Sequence, residues 1–161
     1  MALAANVKQY FPPKNIQQME ADLRLLPFWW AEDGDAIVVD AGNSNVTVDN
    51  VNIDTTGGKA MDITGNNVNV TGSDVTNAGE GIKIDADGNA NVENTTVSNI
   101  DTGDAIDVTA DNVTVKDTTI NNIVNGTGIK ANATEGVAKV ENTTVDTTSG
   151  SAMDVTGKDV T

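Results

Sequence analysis

Cysteine and histidine are both absent from this chain of 161 residues. Without cysteine there is no disulfide framework and no thiolate metal site, and without histidine the commonest general base and metal ligand are missing. No apolar run approaches the roughly 20 residues of a membrane span. The opening residues, MALAANVKQYF, also lack the charged start and long apolar stretch of a secretory signal. We therefore expect neither a cofactor nor membrane insertion.

Basic residues are scarce, with nine Lys and Arg against 24 Asp and Glu, which gives a formal net charge of -15. A surplus of negative charge repels the phosphate backbone of nucleic acids and anionic membrane surfaces. The composition therefore predicts no nucleic-acid binding and favours neutral or cationic partners.

Aromatic residues are confined to the beginning of the chain, where both Trp, both Phe and the single Tyr precede residue 31. This compositional change predicts an N-terminal cap at residues 1–34 and a second region at residues 35–161. Within the cap, Pro12 and Pro13 precede an apolar pattern at helical spacing, and Pro27 ends it. We predict an amphipathic helix over about residues 14–26 that covers an open apolar end. Its apolar face consists of Ile16, Met19, Leu23 and Leu26.

From residue 35 onward the chain repeats itself at intervals of 24, 21, 24, 23 and 24 residues. The aligned segments are AIVVDA, AMDITG, GIKIDA, AIDVTA, GIKANA and AMDVTG, which begin at Ala36, Ala60, Gly81, Ala105, Gly128 and Ala152. Each of the first five is followed by two further short alternating strands. Three strands per repeat, separated by Gly, Asn and Asp, are typical of a solenoid whose turns lie directly on one another. The predicted fold is all-β, a single-stranded parallel β-helix of about five turns of 21–24 residues.

Such a fold stacks equivalent residues of successive turns in columns about 4.8 Å apart. The alignment predicts a core column of Ile37, Met61, Ile82, Ile106, Ile129 and Met153. A corner column consists of Asn50, Asn94, Asp117 and Asn142, residue types that tolerate left-handed backbone. In the second turn the segment TGSDV is taken as one residue shorter, which predicts a tighter corner there.

A column of charged residues lies beside the core column, pointing outward. It comprises Asp62, Lys83, Asp107, Lys130 and Asp154, and we call it the charge ladder. Its signs alternate over five turns. Because like charges one strand apart repel, alternation favours the in-register parallel stack. Exposed ion pairs contribute only about 0.2–1 kcal/mol each, so the charge ladder is expected to fix register more than stability.

The repeat GIKIDADGNANVENTTVSNIDTGDAI resembles the right-handed parallel β-helix repeats of pectate-lyase-like proteins, bacterial surface adhesins and autotransporter passengers. The resemblance covers residues 35–161 and implies a right-handed winding and an extracellular or cell-surface location. Residues 1–40 are similar to the start of uncharacterised ATP-grasp-like bacterial proteins, in the elements PP, QM, DL, LP, WWA and GD. Nothing further along the chain resembles the nucleotide-gripping sheets of that family, so no ATP-binding residue is implied.

Few side chains are candidates for catalysis or metal binding. Arg24 is the only arginine, and the carboxylate pairs nearest to acid and base roles are Asp85 with Asp87 and Asp101 with Asp104. Asp85, Asp87 and Asn89 place oxygens at alternate positions, as a calcium loop does, but Thr96 stands where that loop needs a bidentate Glu. Solvated acidic turns and an ordinary β-turn are therefore the preferred interpretations, and we predict that the chain is not an enzyme.

The expected function is a non-enzymatic structural or adhesive scaffold of a bacterial surface-type protein. The alternative is a carbohydrate-active β-helix that binds or cleaves polysaccharide. A further alternative follows from the carboxyl end, because the chain stops inside a turn at Thr161. An open or truncated last coil predicts a piece of a longer solenoid or end-to-end self-association. The sequence is compatible with either a glycan or a protein as a ligand.

Overall fold

The structure of the chain is a computed structural model that describes residues 21–24, 29–31, 34–55, 57–147 and 149–161. Within these ranges the regular elements are 19 strands, and all strand pairs are parallel. No helix with the length and apolar character needed to cross a membrane occurs in them.

The strands form three sheets, each built from every third strand along the chain. Sheet A contains β1 (Ala21–Arg24), β4 (Val46–Asp49), β7 (Val68–Thr71), β10 (Asn89–Glu93), β13 (Asn112–Lys116), β16 (Val137–Glu141) and β19 (Asp159–Val160). Sheet B contains β2 (Trp29–Ala31), β5 (Asn52–Thr55), β8 (Asp74–Ala78), β11 (Thr96–Ile100), β14 (Thr119–Ile123) and β17 (Thr144–Thr147). Sheet C contains β3 (Ile37–Asp40), β6 (Lys59–Gly65), β9 (Glu80–Ala86), β12 (Ile106–Ala110), β15 (Ile129–Ala133) and β18 (Met153–Thr156).

The chain passes through sheets C, A and B in turn and then returns to sheet C one strand further along. Each strand therefore pairs with its counterpart in the neighbouring turn rather than with its neighbour in sequence. The six strands of sheet C enclose five complete turns between β3 and β18. The prediction of an all-β parallel solenoid of about five turns is confirmed.

Apolar side chains of all three sheets fill the interior. The register of sheet C stacks Ile37, Met61, Ile82, Ile106, Ile129 and Met153 in one column. The first five are at most 1% exposed, whereas Met153, on the last strand of the sheet, is 43% exposed. Similar columns of Val and Ile run through sheets A and B. Branched side chains suit such stacks because their restricted rotamers fit a pleated, packed surface.

The described residues within the predicted N-terminal helix form a strand and not a helix. Residues Ala21–Arg24, which include Leu23 of the predicted apolar face, form strand β1 and pair in register with β4. The exposed edge of a sheet offers unpaired backbone groups, and pairing with them outweighs a local helical periodicity. Ile16, Met19 and Leu26 lie outside the described residues. Strands β1 and β2 extend sheets A and B before residue 35.

The corner between sheets A and B has the same construction in every turn. Asn50, Asn94, Asp117 and Asn142 all adopt left-handed backbone, with φ between 47° and 54°. The prediction of a tighter corner in the second turn is wrong. Val48 pairs with Val70 and Ile53 with Val75, so the segment has its full length, and Gly72 takes the corner with φ 57°. Glycine adopts this conformation without steric cost, so no residue needs to be removed.

A hydroxyl follows the left-handed residue at most of these corners. The hydroxyls of Ser73, Thr95 and Thr118 are buried and donate to the backbone carbonyl two residues earlier, at 3.1, 3.1 and 2.9 Å. Thr143 makes the same contact at 2.9 Å. These bonds satisfy polar groups that the turn would otherwise bury unpaired.

Candidate functional site

The corner between sheets B and C differs from turn to turn. Only Gly79 separates β8 from β9, whereas residues 101–105 separate β11 from β12 in the next turn. Residues 124–128 form an equally long connection between β14 and β15. The short corner therefore lies beside longer ones, and the surface is indented at this point.

The indentation is a groove of about 390 Å³, which we call the corner groove. Residues from four successive turns line it, namely Lys59, Glu80, Ile82, Lys83, Thr102, Gly103, Asp104, Asp107 and Asn125. Its volume falls within the range of roughly 300–1,000 Å³ that is usual for small-molecule sites. Three acids and two lysines give it a mixed charge, unlike the strongly acidic chain as a whole.

Glycines allow the turns to approach closely at this corner. A Cβ atom on Gly103 would overlap the side chain of Glu80, and one on Gly126 would overlap the carbonyl oxygen of Gly103. The stem of Glu80 therefore lies against the bare backbone of the next turn. Glycine is required at both positions by this close approach.

Most charged groups of the corner groove are already engaged by the protein. Lys59 Nζ lies 3.3 Å from Asp62 Oδ2, and Lys130 Nζ lies 3.2 Å from Asp107 Oδ2. The hydrogen bond from each lysine to its carboxylate raises the lysine pKa above its ordinary value. Asp104 accepts a hydrogen bond of 2.7 Å from the backbone N–H of Thr127, and its other oxygen lies 4.0 Å from Lys130.

Two charged groups of the corner groove remain uncommitted. Within the residues that the structure describes, neither the carboxylate of Glu80 nor the ammonium group of Lys83 has a hydrogen-bond or ion-pair partner within 4.0 Å. The charge of Glu80 acts through space on Lys59, whose pKa it helps to raise. Both side chains are exposed.

The predicted charge ladder lies on the outer face of sheet C. The register places Asp62, Lys83, Asp107, Lys130 and Asp154 side by side in successive strands. Along this column, however, only Lys130 and Asp107 form an ion pair within the described part of the chain. Lys83 lies between two carboxylates that are each paired with another lysine.

The candidate acid pairs are not assembled into one centre. Asp104 lines the corner groove, whereas Asp101 is outside its lining and accepts a hydrogen bond from Asn125 through its backbone carbonyl. Asp85 and Asp87 are both exposed. The side-chain oxygen of Asn89, the third member of the calcium candidate, accepts a 3.0 Å bond from Asn112. No cluster of three or more metal-ligating side chains occurs among the described residues.

Two asparagine ladders were missed by the sequence analysis. In the first, Asn67, Asn89 and Asn112 each donate a side-chain amide hydrogen bond to the asparagine one turn earlier, at 2.8, 2.9 and 3.0 Å. In the second, Asn99 donates to Asn77 at 3.0 Å and Asn122 donates to Asn99 at 2.9 Å. The repeat spacing of these asparagines was the available signal. Stacked amides of this kind tie neighbouring turns together at the surface.

Comparison with known proteins identifies one family. The sequence profile described as a right handed beta helix region matches residues 28–160. No curated protein matches the chain. No solved structure matches it either.

Proposed function

Because this chain belongs to the family of right-handed β-helix proteins, we propose that it is a non-enzymatic structural or adhesive scaffold. In this role it is a rigid acidic solenoid that presents polar faces to neutral or cationic partners. The similarity of its repeats to those of bacterial adhesins supports a place at a bacterial cell surface.

One observation carries this proposal: polar side chains of the outer surface bond to their counterparts one turn away. The asparagine ladder from Asn45 to Asn112 spans four turns. Ion pairs such as Lys116 with Glu93 also bridge adjacent turns, at 3.3 Å. Side chains engaged in this way hold the surface in one conformation, which suits a scaffold, and they are less available for proton transfer or metal binding.

The test is a panel of neutral and acidic polysaccharides incubated with the purified chain. Product release is measured as new reducing ends and as ultraviolet absorbance of unsaturated sugars, and binding is measured in parallel on a glycan array. A scaffold gives no product above that of the heat-unfolded chain, whether or not it binds a glycan. Turnover that requires the folded chain would contradict the proposal.

The corner groove favours a second candidate, a carbohydrate-active protein that binds or cleaves polysaccharide. Glu80, Asp104 and Asp107 line the groove, and paired carboxylates are the groups that glycoside hydrolysis uses. Of these three, Glu80 alone has an uncommitted carboxylate within the described residues. If this candidate holds, Glu80→Gln abolishes cleavage, whereas Glu135→Gln at a distant exposed ion pair leaves it unchanged.

A further inference from the structure

Within the part of the chain that the structure describes, the corner groove contains two charged side chains that lack an oppositely charged partner. Its other charged side chains, Lys59, Asp104 and Asp107, each have a partner within 4.0 Å, but Glu80 and Lys83 have none among the described residues. The unpaired groups are opposite in sign. Local departures from an otherwise consistent pattern are expected at functional sites.

Both unpaired groups are held by rigid structure. Glu80 and Lys83 belong to β9, which is paired along its length with β6, and Lys83 lies in the part of β9 that also pairs with β12. Glu80 is further confined because its stem lies against Gly103. A binding site on a central strand is positioned more accurately than one on a loop, so less ordering is required when a ligand binds.

We propose that the corner groove binds a small zwitterion, with Glu80 receiving the ammonium group of the ligand and Lys83 its carboxylate. The site would be an additional feature of the scaffold, and its chemistry differs from that of a polysaccharide groove. Ile82 lines the groove between the two charged residues while its side chain packs in the core, and Thr102 and Asn125 supply polar groups at the rim.

The pattern of charges favours a zwitterion over an ion of a single sign. An anion would meet Lys83 but would also lie beside Glu80, Asp104 and Asp107. A simple cation would leave Lys83 uncompensated. A ligand with both charges gives each of these two groups a partner and leaves the existing ion pairs intact.

The experiment titrates the full chain with ω-amino acids of increasing length, namely glycine, β-alanine, 4-aminobutyrate and 6-aminohexanoate. Ethylamine and propionate serve as ligands that carry one charge each. Amide chemical shifts from NMR report on Ile82, Gly103 and Asn125. We expect saturable shifts at these residues with one preferred ligand length, and binding at least about tenfold weaker for ethylamine and for propionate.

Variants identify the groups responsible. Glu80→Gln and Lys83→Gln are each expected to weaken binding about tenfold or more. The double exchange Glu80→Lys with Lys83→Glu is expected to restore part of the binding, because the two charges are interchanged. The matched control is Glu135→Gln, which breaks the exposed pair of Glu135 with Lys158 away from the groove and should leave binding unchanged. Thermal unfolding of each variant shows that the fold is retained.

Three results would overturn the assignment. The first is the absence of saturable shifts up to about 10 mM ligand, which is weaker than a specific small-molecule site requires. The second is loss of binding in Glu80→Gln but not in Lys83→Gln, which would indicate a cation site. The third is binding of neutral oligosaccharides without any of the zwitterions, which would support the carbohydrate-active candidate. The first two results leave the scaffold proposal unchanged, and after the third result the turnover assay decides between the scaffold and the carbohydrate-active candidate.

Discussion

The corner between sheets A and B repeats one construction, whereas the corner between sheets B and C varies in length. At the first, a left-handed residue precedes a buried hydroxyl in most turns, as at Asn94 and Thr95. At the second, the connection ranges from Gly79 alone to residues 101–105. Turns that stack directly must agree in shape where they are in contact. The length of a connection can vary only where the chain lies outside this contact.

The two corners therefore have different roles in the solenoid. The corner between sheets A and B, which we call the regular corner, sets the register and provides continuous hydrogen bonding between turns. The corner between sheets B and C is called the irregular corner. The irregular corner creates the only groove that we propose to be functional, and it does so without disturbing the apolar columns beneath it. The following changes test that separation, beginning with the largest expected effect.

Gly126→Ala, at the irregular corner, should be the most damaging of these changes. The added Cβ would overlap the carbonyl oxygen of Gly103, a backbone atom that cannot move aside. We expect the free energy of unfolding to fall by about 1–3 kcal/mol, as for other overpacked sites. Urea denaturation followed by circular dichroism measures this loss.

The matched control is Gly72→Asn at the regular corner. Its Cβ would lie 2.9 Å from Asn50 Oδ1, the mobile end of a side chain, and asparagine already occupies this position in other turns. Its effect should stay within about 0.5 kcal/mol. Equal destabilisation by the two substitutions would remove the contrast between the corners.

Asn94→Ala tests the left-handed backbone at the regular corner. Asn94 has φ 52°, and alanine in this conformation costs about 1 kcal/mol or slightly more. The thermal unfolding temperature should fall accordingly. Asn94→Gly should retain most of the stability, as Gly72 does in the preceding turn. If both variants are equally unstable, the asparagine side chain and not the backbone is responsible.

Thr118→Val tests the buried hydroxyl next to the left-handed residue. Its hydroxyl donates to the Lys116 carbonyl at 2.9 Å, but that oxygen also accepts from the Asn94 N–H at 3.2 Å and keeps one partner. The loss should therefore be limited to about 0.5–1 kcal/mol. Thr118→Ser, which keeps the hydroxyl, should be closer to the unaltered chain in urea denaturation. If Thr118→Val is more stable than Thr118→Ser, apolar packing contributes more at this position than the hydroxyl does.

The smallest effect concerns pH. The hydrogen bond from Asn142 and the ion pair with Lys116 hold the pKa of Asp117 below its ordinary value. A lowered folded-state pKa stabilises the fold above the unfolded pKa, and this contribution is lost as pH falls through the folded value. The difference in unfolding temperature between the unaltered chain and Asp117→Asn should therefore shrink between about pH 5 and pH 2. A difference that grows with acidification would contradict this assignment.

The columns and the regular corner could be predicted from the sequence because side-chain alternation and repeat length fix them together. Ile82 and Ile106 had to coincide once the repeat was aligned, and Asn94 and Asn142 occupy equivalent corners for the same reason. Strand β1 could not be predicted, because its local periodicity is helical and the sheet edge that it joins is formed by distant residues.

The corner groove depends on a difference between neighbouring turns, which an alignment of similar segments tends to conceal. The interval of 21 residues between Ala60 and Gly81, the shortest in the series, was its signal. The choice of ion-pair partners within the charge ladder also could not be predicted from the sequence. Asp62 pairs with Lys59 three residues earlier on the same strand, and this choice leaves Lys83 without a partner among the described residues.

The central claim is that equivalent residues of successive turns lie in direct contact along the solenoid. Methyl NMR of a chain labelled at isoleucine tests it most directly, because Ile106 pairs with Ile82 on one side and with Ile129 on the other. We expect nuclear Overhauser contacts from the methyl groups of Ile106 to those of both partners. Contacts to neither would contradict the parallel stacked arrangement.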